Sequence, residues 1–178
     1  VLKVASNYFN SIENDAVTSS VQDGRIFIKR AAIKKQKYDW IILDAFNGDY
    51  IPEHLLTKEF FEEVKSVLAE GGVIAANTFS SSKLYEHESA TYHAVFGDFI
   101  NVSRANRSNR IILAGVNSMP TEAQINQRIK ALNPRLKKYD VDLKAISTYL
   151  QSTKNKQHWP ANTKVLTDQY SPDDLLNL

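Results

Sequence analysis

An α/β fold is predicted, with helices on both faces of a sheet that is mostly parallel and ends in an antiparallel pair. Three observations point there. Short apolar runs alternate with longer stretches of helical period, the pattern of βα units rather than of a bundle or a sandwich. Tyr38-Asp39-Trp40-Ile41-Ile42-Leu43-Asp44 is a compact apolar run that suits a central parallel strand covered on both faces. Two late runs, at residues 99–103 and 110–116, are separated by the polar Asn106-Arg107-Ser108-Asn109, which fits an antiparallel pair. With 178 residues, 43% of them hydrophobic, the chain can bury the core of one domain.

From the amino terminus, residues 1–9 read as the tail of a helix, with Val1, Val4, Ala5 and Tyr8 at helical spacing. Residues 16–21 are expected to form a short strand ended by Asp23-Gly24, and residues 25–33 a helix. After the strand at 38–44 and a polar connection, a helix starts at Thr57, whose hydroxyl can cap it, and buries Phe60, Phe61, Val64, Val67 and Leu68. Gly71-Gly72 is expected to stop that helix, and residues 73–77 form the next buried strand. Residues 83–96 read as helical. Beyond Pro120, residues 121–132 and 141–150 read as helices, 153–163 as polar and irregular, and Val165-Leu166-Thr167-Asp168 as the lead into an exposed tail. The expected division is a sheet-bearing part at 1–116 and a helical extension and tail at 117–178, packed on the same domain.

Composition narrows the function. The absence of Cys removes disulfide scaffolds, thiol nucleophiles and cysteine-held metals, and makes a cytoplasmic setting the default. No apolar run approaches the roughly 18 residues of a spanning helix, and Val1-Leu2-Lys3-Val4 lacks the features of a signal peptide. Because the first residue is Val rather than Met, the sequence is expected to be a processed product or a piece of something longer. A net charge of +2 is too small for a nucleic-acid footprint over the whole domain. The charge is uneven, however: residues 41–100 carry 3 basic and 10 acidic side chains, so a cleft built there would favour cations over phosphates.

The leading candidate is Asp44, immediately after the apolar run, because in open α/β sheets ligands bind beyond the carboxyl ends of the strands. From topology alone, capping the next turn is an equal alternative. Asp23-Gly24 should reach the same edge, where the carboxylate could accept from an amine or a ribose hydroxyl. Local sequence favours an ordinary Asp-Gly turn. The loop Asn47-Gly48-Asp49-Tyr50-Ile51-Pro52 adds polar groups beyond Asp44. His87-Glu88 does not open a zinc motif, since the next histidine is His93 and the two imidazoles are not four apart. The basic run Lys29, Arg30, Lys34, Lys35 and Lys37 reads as the wet face of a helix. No phosphate-binding glycine loop or nucleophile elbow is found, and no metal site is expected.

As an ordered set, Asp23-Gly24-Arg25 with Phe27, Lys37-Tyr38-Asp39 leading to Asp44-Ala45-Phe46, Ile51-Pro52-Glu53-His54-Leu55-Leu56-Thr57-Lys58-Glu59-Phe60, and Gly71-Gly72-Val73 with Asn77 resemble the spermidine synthase family of polyamine aminopropyltransferases. They look most like its divergent spermidine-synthase-like branch, whose ending Val165-Leu166-Thr167-Asp168-Gln169-Tyr170-Ser171-Pro172 resembles. The resemblance implies a partial Rossmann-like sheet of the S-adenosylmethionine-dependent methyltransferase type. It also implies aminopropyl transfer from decarboxylated S-adenosylmethionine to a polyamine, with that nucleoside, or S-adenosylmethionine itself, as co-substrate and no tightly bound cofactor. Asp44 would be the catalytic aspartate, and Asp23 with Gly24 the nucleoside contacts. Asn47 stands where the family has a second aspartate, so Asn47 and Asp49 become the candidate amine ligands. The family's first two strands and its small amino-terminal domain would precede Val1. The expected partners are a small cationic amine and the nucleoside, without nucleic acid or a membrane segment. Homo-oligomerisation is expected too, because an uncovered sheet edge needs a cover. Methyl transfer and a non-catalytic scaffold are the alternative functions.

Overall fold

The computed structural model describes residues 2–9, 14–46, 50–104, 107–154 and 156–170. In chain order the elements are α1 (Leu2–Phe9), α2 (Gly24–Ile33), β1 (Tyr38–Leu43), a 3-10 turn (Glu53–Leu55), α3 (Lys58–Ser66), β2 (Leu68–Phe79) and α4 (Tyr85–Phe96). Then come β3 (Ile100–Ser103), β4 (Asn109–Gly115), α5 (Glu122–Leu136), a second 3-10 turn (Lys137–Tyr139), α6 (Leu143–Ser147) and β5 (Leu150–Ser152).

One five-stranded sheet has the order β1-β2-β4-β3-β5. β1 and β2 are parallel and the three other pairings antiparallel, so the expected antiparallel end makes up most of the described sheet. Strand alternation sends Ile74, Ala76 and Thr78 of β2 and Arg110, Ile112 and Ala114 of β4 to one face, where all six are buried. α2, α3 and α4 cover that face through Ile28, Ala31, Phe60, Phe61, Val64, Tyr92 and Phe96. Helix α3 begins as expected, with the Thr57 hydroxyl accepting from the Phe60 amide.

The covered face also holds a buried ion pair. Arg110 donates to Thr78 Oγ1, Ser89 Oγ, the Tyr85 carbonyl and, at 3.1 Å, Glu88, with its guanidinium 3.8 Å from the centre of the Tyr85 ring. Burial pushes the Glu88 carboxyl up against the opposing pull of Arg110. Glu88 of the His87-Glu88 pair is thus occupied by a core arginine.

Four expectations need correction. Residues 16–21 form no strand; Val17 and Val21 are exposed, and an isolated bridge between Asn14 and Val17 is the only ladder contact there among the described residues. β1 is the outer strand of the described sheet rather than a central one, and on its uncovered face Trp40 is 62% and Ile42 72% exposed. α3 ends at Ser66, well before Gly71-Gly72, because the chain turns at Val67 and enters β2. The two glycines lie within β2 and bulge it: Gly71 has φ 72°, and a Cβ on Gly72 would meet the backbone oxygens of Ala69 at 2.9 Å and Tyr38 at 3.0 Å. Only Leu143–Ser147 of the expected helix at 141–150 forms, and Leu150–Ser152 instead pairs with β3. The lead-in Val165-Leu166-Thr167-Asp168 is docked, with Leu166 fully buried, its amide donating to Thr91 Oγ1 and its carbonyl accepting from Lys58, while the tail after residue 170 lies outside the described residues.

Candidate functional site

Two carboxylates were singled out by the sequence, one after β1 and one at the start of α2. Asp44 directly follows β1 and is exposed. Its Oδ1 accepts from Asn77 Nδ2 at 3.0 Å, Asn77 Oδ1 accepts from Asn109 Nδ2 at 3.0 Å, and Ser108 Oγ donates to Asn109 Oδ1 at 3.2 Å. This line of neutral amides crosses from β1 over β2 to β4. Among the described residues the Asp44 carboxylate has no other hydrogen-bond or ion-pair partner. An exposed carboxylate held by one amide keeps its negative charge available.

Next to it is a small apolar hollow. Leu43, Ala45, Ile51, Leu55, Leu56 and Asn77 are among its lining, with Phe60 and Tyr92 from α3 and α4. The space is about 30 Å³, one water's share of liquid. Asp44 is not part of its lining, although its chain neighbours Leu43 and Ala45 and its partner Asn77 are.

Asp23 is the N-cap of α2, with Oδ1 accepting from the Ile26 amide at 3.0 Å. The Asp-Gly pair therefore starts a helix rather than ending a strand, with Gly24 as its first residue. Asp23 Oδ2 lies 2.8 Å from His54 Nε2 of the first 3-10 turn. That bond, and next the Ile26 amide, hold the Asp23 carboxyl below its usual range.

Behind this pair lies a charged cluster. Arg25 makes two forks: Nε and Nη2 to Glu63 at 2.9 Å, and Nη1 and Nη2 to Asp168 at 2.8 and 2.7 Å. Its Nη1 also donates to the His54 carbonyl at 3.3 Å, and Thr57 Oγ1 donates to Asp168 at 2.7 Å. Arg25 in turn keeps the Asp168 carboxyl below the usual range.

Of the residues expected from sequence, Asp23 and Asp44 are linked through the turn Glu53–Leu55, which presents His54 to Asp23 and Leu55 to the hollow beside Asp44. Asn47 and Asp49 lie outside the described residues. The sequence reading gave no role to His54, Arg25, Asp168 or Asn109. Asn77 was open to the argument used for Asp44, since it too is a polar residue near the carboxyl end of a parallel strand. No helix among the described residues is long and apolar enough to cross a membrane.

A spermine/spermidine synthase domain matches residues 1–105. The polyamine aminopropyltransferase of Vibrio vulnificus is 44% identical over 177 residues, which are 99% of this chain and 58% of that protein. The chain therefore spans little more than half the length of this relative. Among solved structures, a probable spermidine synthase from Corynebacterium glutamicum superposes with a TM-score of 0.65 at 21% identity, over 94% of this chain and 60% of that one. Human methyltransferase-like protein 13 in complex with SAH superposes with a TM-score of 0.67, also at 21% identity, over 76% of this chain and 66% of that one. At that identity the two superpositions speak for the fold, which is the expected methyltransferase-like α/β type.

Proposed function

The chain belongs to the spermine/spermidine synthase family, and from that premise we propose that it carries the amine-facing part of an aminopropyltransferase that uses decarboxylated S-adenosylmethionine as co-substrate. The observation that supports this best is the exposed Asp44 carboxylate at the end of β1, with one oxygen steadied by Asn77 and no cation beside it among the described residues. A polyamine arrives as ammonium and must lose a proton before it can attack. Asp44 attracts the cation and takes that proton. The freed amine nitrogen then forms a bond to the aminopropyl carbon attached to the sulfonium; the carbon–sulfur bond breaks, and its electron pair stays on sulfur as a neutral thioether.

In this reading Asp23 and Gly24 contact the nucleoside, and Asn47 and Asp49 are the amine ligands. Residues 1–116 are the carboxyl-terminal part of a Rossmann-like domain, with 117–178 packed on it. The burial of Leu166 and the pairing of β5 support that packing. A cytoplasmic setting and self-association over the open side of β1, where Trp40 and Ile42 stand exposed, belong to the same reading.

The test is a transfer assay with decarboxylated S-adenosylmethionine and a panel of diamines, comparing the wild type with Asp44→Asn. Loss of a general base predicts a fall in kcat of about 10²- to 10⁴-fold. Equal rates in the two proteins would remove Asp44 from the reaction. Turnover with S-adenosylmethionine instead would turn the reading to methyl transfer, and no turnover or nucleoside binding at all would leave a scaffold.

A further inference from the structure

We propose that His54 is a positioning residue that fixes the Asp23 carboxylate for recognition of the exocyclic amine of the nucleoside, a role that rests on the reading of Asp23 as a nucleoside contact. A cap residue bonded through one oxygen can still swing its other oxygen. Here Oδ1 is taken by the Ile26 amide at 3.0 Å and Oδ2 by His54 Nε2 at 2.8 Å, so both ends of the carboxylate are tied. An ionised carboxylate only accepts, so the imidazole nitrogen facing it is the donor. Each carboxylate oxygen has two acceptor positions, and the bonds from Ile26 and His54 take one on each. Side-chain exposures of 41% for Asp23 and 48% for His54 leave the remaining positions open to a ligand.

His54 is itself held on both sides. Its carbonyl accepts from Arg25, and the turn that carries it is closed by bonds from Leu55 to Pro52 and from Leu56 to Glu53, both 2.9 Å. The same turn sends Leu55 and Leu56 into the lining of the hollow beside Asp44. His54 thus ties the nucleoside end of the site to the segment that leads away from the catalytic end. An amine donating to a carboxylate fixed in this way gains a bond that a carbonyl at the same ring position cannot make; a carbonyl oxygen would face a fixed negative charge.

The experiment compares binding of methylthioadenosine and of methylthioinosine, its counterpart with a carbonyl in place of the amine, by calorimetry on the 178-residue chain. The wild type should prefer the amine about tenfold. His54→Ala should lose most of that preference by weakening the amine ligand alone. His54→Gln, which keeps a side-chain N–H donor, should restore much of it. A general structural defect would weaken both ligands alike. If His54→Ala keeps the wild-type preference, or if His54→Gln is no better than alanine, the positioning role is wrong and the nucleoside reading stands. If the wild type binds neither ligand or does not distinguish them, the nucleoside reading of Asp23 falls and takes the role of His54 with it.

Discussion

The surroundings of Asp23 are built from charge, whereas those of Asp44 are built from neutral amides. At the first, His54 bonds to Asp23 and Arg25 forks to Glu63 and Asp168, so the frame reaches from α2 through α3 to Asp168. At the second, Asn77 and Asn109 supply hydrogen bonds without net charge. A carboxylate whose two oxygens each already accept a hydrogen bond is suited to take one more polar contact from a neutral donor. One oriented by amides retains its field and draws a positive guest. The difference is in line with the proposal that Asp23 meets the neutral exocyclic amine of the nucleoside and Asp44 the ammonium of the acceptor.

The contrast can be broken from the charged side first. Arg25→Met should strip Glu63 and Asp168 of their shared partner while keeping the stem's packing. The expected cost is about 1 to 3 kcal/mol, read as a drop in the urea midpoint, because the mostly buried Arg25 loses its forks to Glu63 and to the more exposed Asp168. A loss below about 0.5 kcal/mol would mean the cluster is no more than a surface pairing. From the neutral side, Asn77→Ala should leave stability within about 1 kcal/mol and lower kcat about tenfold, since it frees the Asp44 carboxylate to rotate without removing its charge. An unchanged kcat would show that Asn77 does not orient Asp44.

The smallest effect separates the two ends by pH. Arg25 lowers the pKa of Asp168 in the folded chain, so its contribution is present above the unfolded carboxylate range and is lost as pH falls through the folded value. With Asp168 43% exposed, the global effect should be slight, but the local one should be visible. Amide exchange at Leu166, which donates to Thr91 on the docked segment, should lose protection below about pH 4, while the Ala75 amide inside β2 should not. Parallel loss at both positions would point to global unfolding instead.

Much of this arrangement was legible in the sequence, for identifiable reasons. Asp44 could be found because a strongly apolar run ends on it, and Thr57 because a cap followed by a helical stripe is a local signal. β5 could not, since three residues carry no period and pair only because β3 offers them an edge. The docking of Asp168 onto Arg25 joins residues 143 positions apart, which no local pattern encodes. The turn reading of Asp23-Gly24 was close to what forms, because the residues that favour turns also cap helices. The strand expected at 16–21 has no neighbouring strand to pair with among the described residues, and β propensity alone does not form one.

The bulge in β2 sets the relation between Asp44 and Asn77. Two steps along β1, from Tyr38 to Trp40, correspond to five along β2, from Leu68 to Val73, and the surplus is looped out around Gly71-Gly72. A side chain at position 72 would wedge the two strands apart at the Tyr38 carbonyl. Were the chain to relieve that wedge by sliding one residue, every side chain of β1 would change sides, and the carboxylate at its tip would turn its back on the amide that steadies it. The aim of the Asp44 carboxylate is therefore decided some 15 Å upstream, roughly the length of the strand, by a residue whose side chain is a single hydrogen.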